Sequence, residues 1–159
     1  MPNFRRTESV TTKKSLVFEL SEFETDPPGS TTFVTLDVLG ETGGFIGASA
    51  CVLAEHDVVD FLNRLEKLAN GVGGEAVLRG GSGSSEDVRI HAFPADSLGH
   101  IRIHAILAEV PNHEYRCRLE LFFETEPQPA LRFVASLRSA IKTRKTGEFA
   151  MFVKGGAAV

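Results

Sequence analysis

The sequence predicts an α+β protein with one antiparallel sheet of about six to eight strands and two helices packed on its apolar face. Most of the chain alternates apolar and polar residues, which is typical of half-buried strands. Two segments instead repeat apolar residues at intervals of three and four, which indicates amphipathic helices. The strand-like segments follow one another through short turn-like connections, and such a meander is antiparallel.

The first strands are expected between Ser15 and Ala54. SLVFELSEF, from Ser15, alternates apolar and other residues, and the DPPGS sequence at 26–30 then indicates a loop. TFVTLDVLG and FIGASACVLA follow as two further strands. Because the connection at 40–44 is short, these two strands are predicted to form an antiparallel hairpin.

The apolar period changes at Glu55, where HDVVDFLNRLEKLANG predicts the first helix. Asp57 stands at the expected N-cap, and Asn70 with Gly71 indicates the end. Four more strands are expected, and they start at Glu75, Asp87, His100 and Tyr115.

The second helix is predicted from about Thr125 to Thr143. Thr125 and Gln128 match a T-x-x-Q capping box, with Pro127 in the first turn. The apolar EFAMFV sequence at 148–153 is expected to add a last strand to its own sheet, with a symmetric homodimer as the alternative cover for an apolar edge. The predicted core residues are Phe18, Val34, Leu36, Phe61, Leu65, Leu68, Ile90, Ile103, Leu119, Leu121, Leu131, Val134 and Leu137.

The chain has 159 residues, of which 42% are hydrophobic, and this size fits one domain. We expect a single α+β domain at 15–154, a flexible N-terminal segment at 1–14 and a C-terminal tail at 155–159. The sequence contains neither a leader-like apolar run nor the roughly 18 apolar residues of a membrane span. A soluble, cytoplasmic protein that does not contact a membrane is therefore expected. Cys51 and Cys117 are predicted to be buried free thiols, because neither belongs to a metal-ligand pattern.

The net charge of −4 is unevenly distributed. Between Ser15 and Glu66 there are ten acids and one base, Arg64, which gives this block a charge of −9 and the remainder +5. Such a block can attract a cationic partner and repels nucleic acid, although excess acids also simply keep a protein soluble. The residues predicted to bind a partner are Glu22, Glu24, Asp26, Asp37 and Glu41.

The HIRIHA sequence at 100–105 raises the question of a metal site. Ile101 and Ile103 alternate with His100, Arg102 and His104, so the segment is predicted to be a strand, on which the two histidines are about 13 Å apart. Two such histidines cannot share one metal ion, and no metal site or cofactor is expected. If the 94–99 turn places Phe93 opposite His100, His91 faces Arg102 and Arg89 faces His104.

The polar face of these strands is predicted to be solvated, and Glu120 is the only acid that the sequence pattern places on it. Arginine side chains suit carboxylates and phosphates, so the same face is an alternative ligand surface. Its residues are Arg89, His91, Arg102, His104 and Arg118. A diagonal metal site at His91 and His104 is the least favoured interpretation.

The order of sequence features resembles a known group of proteins. DFLNRLEKLANG, GEAVL, GHIRIHAIL, LELFFE and LRFVASLRSAI, within 33–143, resemble small bacterial proteins that include the WapI-type immunity proteins, which are paired with wall-associated WapA-type toxins. The resemblance implies an α+β fold and a cytoplasmic binding role without catalysis. It assigns no functional residue to this chain.

Two functions are consistent with the sequence. The first is a non-catalytic binding protein, such as an immunity protein or antitoxin that neutralises a toxin partner through its acidic surface. The alternative is a small-ligand-binding or enzymatic domain that uses the Arg/His-lined face. The sequence contains no nucleophile and base that can be placed together, so the first is favoured and the protein is not expected to be an enzyme.

Overall fold

The computed structural model describes residues 13–25, 27–81, 86–109 and 117–154, without the side chains of Glu109 and Cys117. The predicted terminal segments therefore lie largely outside the described residues. The elements in chain order are β1 (Lys14–Thr25), β2 (Thr32–Thr42), β3 (Phe45–Ala54), α1 (Glu55–Ala69), β4 (Ala76–Gly80), β5 (Val88–Pro94), β6 (Ile101–Glu109), β7 (Cys117–Thr125), α2 (Pro127–Thr143) and β8 (Gly147–Lys154).

The predicted α+β class is confirmed, with two helices and eight antiparallel strands. The strands are divided between two sheets of four, which we call sheet A, in the order β3-β2-β1-β8, and sheet B, in the order β4-β5-β6-β7. The division occurs where α1 follows β3 without a loop and carries the chain away from sheet A. An isolated bridge between Val52 of β3 and Gly81, directly after β4, joins the two sheets at this point.

The sheets share one hydrophobic core. They approach closely at two glycines, since a Cβ atom added to Gly40 would lie 2.3 Å from Leu121 Cδ1 and one added to Gly47 would lie 2.8 Å from Leu119 Cδ2. The Ser49 hydroxyl donates a hydrogen bond to the Ala108 carbonyl, 2.9 Å away, across the same interface. Glycine thus leaves room for these leucine side chains where the inner faces of the two sheets meet.

The helices pack against each other and fill the rest of the core. α2 packs on β8, and the ring of its Phe133 lies 5.1 Å from that of Phe18 on β1. Arg138 of α2 donates hydrogen bonds to both carboxylate oxygens of Glu66 on α1 and to the Asn63 side chain. Every predicted core residue is buried except Leu119 and Leu131, which are half-buried.

The two predicted side-chain caps are wrong. α1 begins at Glu55 directly after β3, with Ala54 as its N-cap, so Asp57 lies inside the first turn and makes no capping bond. Glu126 is the N-cap of α2, and the Thr125 hydroxyl donates weakly to the Glu126 carbonyl, 3.4 Å away. Both helices start directly from strands, whose geometry fixes the entry of the chain.

The last strand adds to its own sheet as predicted. β8 pairs with β1 in antiparallel register, from Leu20 opposite Gly147 to Lys14 opposite Lys154, and Met151 forms a bulge. Both Met151 and Phe152 therefore face the core. Neither helix of the described ranges combines the length and apolar character that a transmembrane span needs.

Candidate functional site

The outer face of sheet A carries most of the predicted partner-binding residues. Phe18, Leu20, Leu36 and Val38 point into the core, so the residues that alternate with them point outward. A bulge at Ser21 of β1 shifts the alternation by one residue, and this shift places Glu22 and Glu24 on the outer side with Glu19. Five outer carboxylates of sheet A form the surface that we call the acidic face, namely Glu19, Glu22, Glu24, Asp37 and Glu148.

Three of these carboxylates form one row across the sheet. Asp37 of β2 is opposite Glu19 of β1, and Glu19 is opposite Glu148 of β8. Side chains in such pairs have Cβ atoms about 4.5–5.5 Å apart, and like charges there destabilise a sheet. Among the residues that the structure describes, no base lies within ion-pair distance of the acidic face.

One end of the same outer face is apolar. Leu39 is opposite Ala48 on one side and Val17 on the other, and Ile46 and Val153 continue the patch at the two edges of the sheet. Ile46 is 73% exposed and Val153 is 55% exposed. An exposed apolar patch next to a charged region is typical of a protein-binding surface.

Two predicted partner-binding residues are placed differently from the others. Glu41 lies in the row of Ile46 and Ser15 at the apolar end, and its carboxylate is 3.7 Å from Lys13 Nζ. Asp26 lies outside the described residues. The acidic face is centred on Glu19, which was not among the predicted residues, although its alternation with the core residues Phe18 and Leu20 already indicated that it points outward.

The outer face of sheet B carries the predicted ligand residues, but the predicted register is wrong by two positions. His91 is opposite His104, Phe93 is opposite Arg102 and Arg89 is opposite Ile106. The cause is the turn, which starts at Asp96 and is shorter than predicted. The Asp96 carboxylate accepts hydrogen bonds from the Leu98 and His100 backbone amides, and the Ala95 amide donates to the His100 carbonyl.

The two facing histidines bind carboxylates on opposite sides. His91 Nε2 lies 2.9 Å from Glu75 Oε2, and His104 Nε2 lies 2.6 Å from Glu120 Oε1. The His104 ring is also stacked on Phe122, with centroids 4.3 Å apart and planes 5° apart. Each imidazole is thus held by its own strand neighbours, and the described residues contain no group of ligands that could hold a metal ion.

The arginines of this face are also paired with carboxylates. Arg102 donates through Nε and Nη2 to Glu124 Oε1, at 3.2 and 2.6 Å. Arg89 lies 3.7 Å from Glu86, and Arg118 lies 3.6 Å from Glu120. Glu120 was the only acid predicted on this face, although Glu124 alternates in phase with it along β7. Mutual neutralisation leaves the Arg/His face with little free charge for an anion.

Asp96, His100 and Cys51, which lie away from these charged residues, have shifted pKa values. The Asp96 carboxylate accepts a hydrogen bond from the His100 ring and attracts its charge, which raises the pKa of His100, while the same hydrogen bond lowers the pKa of Asp96. Burial, followed by the negative charges of Asp37 and Asp87, raises the pKa of the Cys51 thiol to about 12. Cys51 is therefore a buried free thiol, as predicted, and does not act as a nucleophile near neutral pH.

Comparison of the chain with models of protein families, with curated proteins and with solved structures finds no match.

Proposed function

We propose that this chain is a non-catalytic binding protein that covers a basic partner protein with the outer face of sheet A. In the more specific form of the proposal, it is a bacterial immunity protein or antitoxin that acts in the cytoplasm and neutralises a toxin. The apolar patch around Leu39 and Ile46 would supply the desolvated part of the interface. The acidic face would supply steering and orientation, because complementary charge raises association rates more than it raises affinity.

One observation supports this proposal above the others. The row of Asp37, Glu19 and Glu148 places three like charges side by side without a cation in the described part of the chain. A row of this kind costs stability in the free protein. A basic partner would relieve that repulsion on binding, whereas the charges on the outer face of sheet B are already neutralised within the protein.

The proposal predicts a charge-dependent interaction. The test is pull-down of a basic toxin candidate encoded by a neighbouring gene, followed by binding kinetics with the wild type and the Glu22→Lys/Glu24→Lys variant. We expect association to be slower by about tenfold or more at low salt and the difference to shrink as salt is added, because screening weakens steering. Protection of cells that express the toxin should fall in parallel.

The matched control reverses Asp57 and Asp60 to lysine, which changes the net charge equally on an exposed part of α1. We expect the control to bind nearly as fast as the wild type. Equal slowing by both variants would show that only overall charge matters, and binding that is unchanged by Glu22→Lys/Glu24→Lys would refute the acidic face as the interface.

A further inference from the structure

A second surface, distinct from the acidic face, lies where the free edges of the two sheets meet. A cleft of about 570 Å³ opens between sheet B, where residues of β5, β6 and β7 line it, and the β1 and β8 strands of sheet A. Cavities of roughly 300–1,000 Å³ are typical of small-ligand sites. Four phenylalanines line it, namely Phe93, Phe122, Phe123 and Phe152.

The aromatic walls of this cleft are fixed before any ligand arrives. The Phe123 and Phe152 rings are stacked across the two sheets, with centroids 4.6 Å apart and planes 22° apart. Phe122 is 56% exposed, yet its ring is held against His104. An aromatic surface that is both rigid and exposed favours a flat apolar ligand, because little side-chain entropy is lost on binding.

Two unpaired ammonium groups belong to the same cleft. Lys14 of β1 and Lys154 of β8 are directly opposite in the antiparallel register, and both line the cleft. Neither has an ion-pair partner among the described residues, whereas the neighbouring Arg102 is neutralised by Glu124. Two like charges in register destabilise a strand pair unless an anion lies between them.

We propose that this cleft binds a small amphipathic anion, which places a planar aromatic group on the phenylalanines and a carboxylate or sulfonate between Lys14 and Lys154. The cleft carries a net charge of +2 in a chain whose net charge is −4, so an anion is drawn to this place in particular. Paired cations beside an aromatic wall select for a ligand that combines a negative charge with an aromatic group. Phosphates without an apolar part would use only half of the site.

The test uses 8-anilinonaphthalene-1-sulfonate with the full-length protein. This probe is an aromatic anion with a planar naphthalene group, and its fluorescence rises on transfer to an apolar site. We expect saturable binding to the wild type. The Lys14→Glu/Lys154→Glu variant should bind about tenfold more weakly, which corresponds to about 1.4 kcal/mol and to the loss of two exposed ion pairs. N-phenyl-1-naphthylamine, which has the same rings without the sulfonate, should bind equally to both proteins.

The matched control is Lys67→Glu/Lys142→Glu, which makes the same charge change at exposed positions on the two helices. We expect it to bind the sulfonate as the wild type does, and Phe122→Ser to weaken both dyes while circular dichroism and the melting temperature confirm folding. The alternative role of the lysines is to keep the sheet edge from pairing with other chains. In that case 8-anilinonaphthalene-1-sulfonate binds equally to the wild type and to both lysine variants, and this result would overturn the proposal. The absence of saturable binding to the wild type would overturn it as well.

Discussion

Replacement of Gly40 by alanine is the sharpest test of how the two sheets pack. The new Cβ would lie 2.3 Å from Leu121 Cδ1 and 3.1 Å from Leu107 Cδ1, and both leucines are nearly fully buried. Carbon atoms normally pack about 3.5–4.0 Å apart, so Leu121 must retreat by more than about 1 Å. Gly40 does not have a positive φ, so the cost is steric and arises from overpacking.

The expected change in the free energy of unfolding is the balance of two opposing effects. Alanine restricts the unfolded chain and would by itself stabilise the protein by about 0.4–1 kcal/mol. Overpacking a filled core costs about 1–3 kcal/mol. We therefore expect Gly40→Ala to lower the free energy of unfolding by about 1.3 kcal/mol, the difference between the midpoints of these two ranges, and to lower the melting temperature by about 3–5 °C.

Urea denaturation followed by circular dichroism measures this change, and a double-mutant cycle identifies its cause. Leu121→Ala removes the clashing atoms, so Gly40→Ala should cost much less in that background, with a coupling of about 0.5–3 kcal/mol. Gly47→Ala is the graded comparison, since its contact is with the half-buried Leu119, which can move more easily. A Gly40→Ala protein as stable as the wild type, or a cost that persists beside Leu121→Ala, would refute this packing.

Two further predictions concern titratable groups. The pKa of His100 is raised in the folded protein, so His100 contributes its full stabilisation below its unfolded pKa of 6.5 and loses it as the pH rises through the folded pKa. The pKa of Asp96 is lowered, so Asp96 contributes its full stabilisation above its unfolded pKa of 3.8 and loses it as the pH falls through the folded pKa. The pair thus stabilises the turn most between pH 3.8 and 6.5, and urea midpoints measured against pH should lose this feature in His100→Asn, whereas identical profiles would contradict it. Cys51, with a pKa of about 12, should not react with a thiol reagent at pH 8 in a Cys117→Ser variant until urea is added, and rapid labelling of the native protein would show that the thiol is accessible.

The sequence was sufficient to predict the secondary structure because each element buries one face. The alternation around Phe18 and Leu36 and the helical stripe through Phe61 and Leu65 reflect burial that a single segment reveals. Whether β3 would pair with β4 depends instead on contacts between segments that are distant in the chain. The division into two sheets was therefore not predictable from local periodicity.

The pairing of the site residues was also not predictable from local periodicity. Alternation correctly predicts that His91 and His104 point out of the sheet, but their pairing depends on where the turn starts. That start is set by the Asp96 side chain, which competes with the backbone for the amides of the turn. The cross-strand pair of Lys14 and Lys154 is harder still to predict, because it joins the two ends of the domain and follows only from the three-dimensional fold.

The pairing of β8 with β1 also sets an order for folding. Sheet B consists of strands that are consecutive in the chain, so it can form by successive closure of short hairpins. Sheet A requires pairs separated by 127 positions, for Leu20 and Gly147, to 140 positions, for Lys14 and Lys154. Closing so long a loop is slow because its entropy is lost before the contacts form. During synthesis, one edge of β1 therefore stays unpaired until β8 has left the ribosome. Mispairing and aggregation are expected to begin at this unpaired edge.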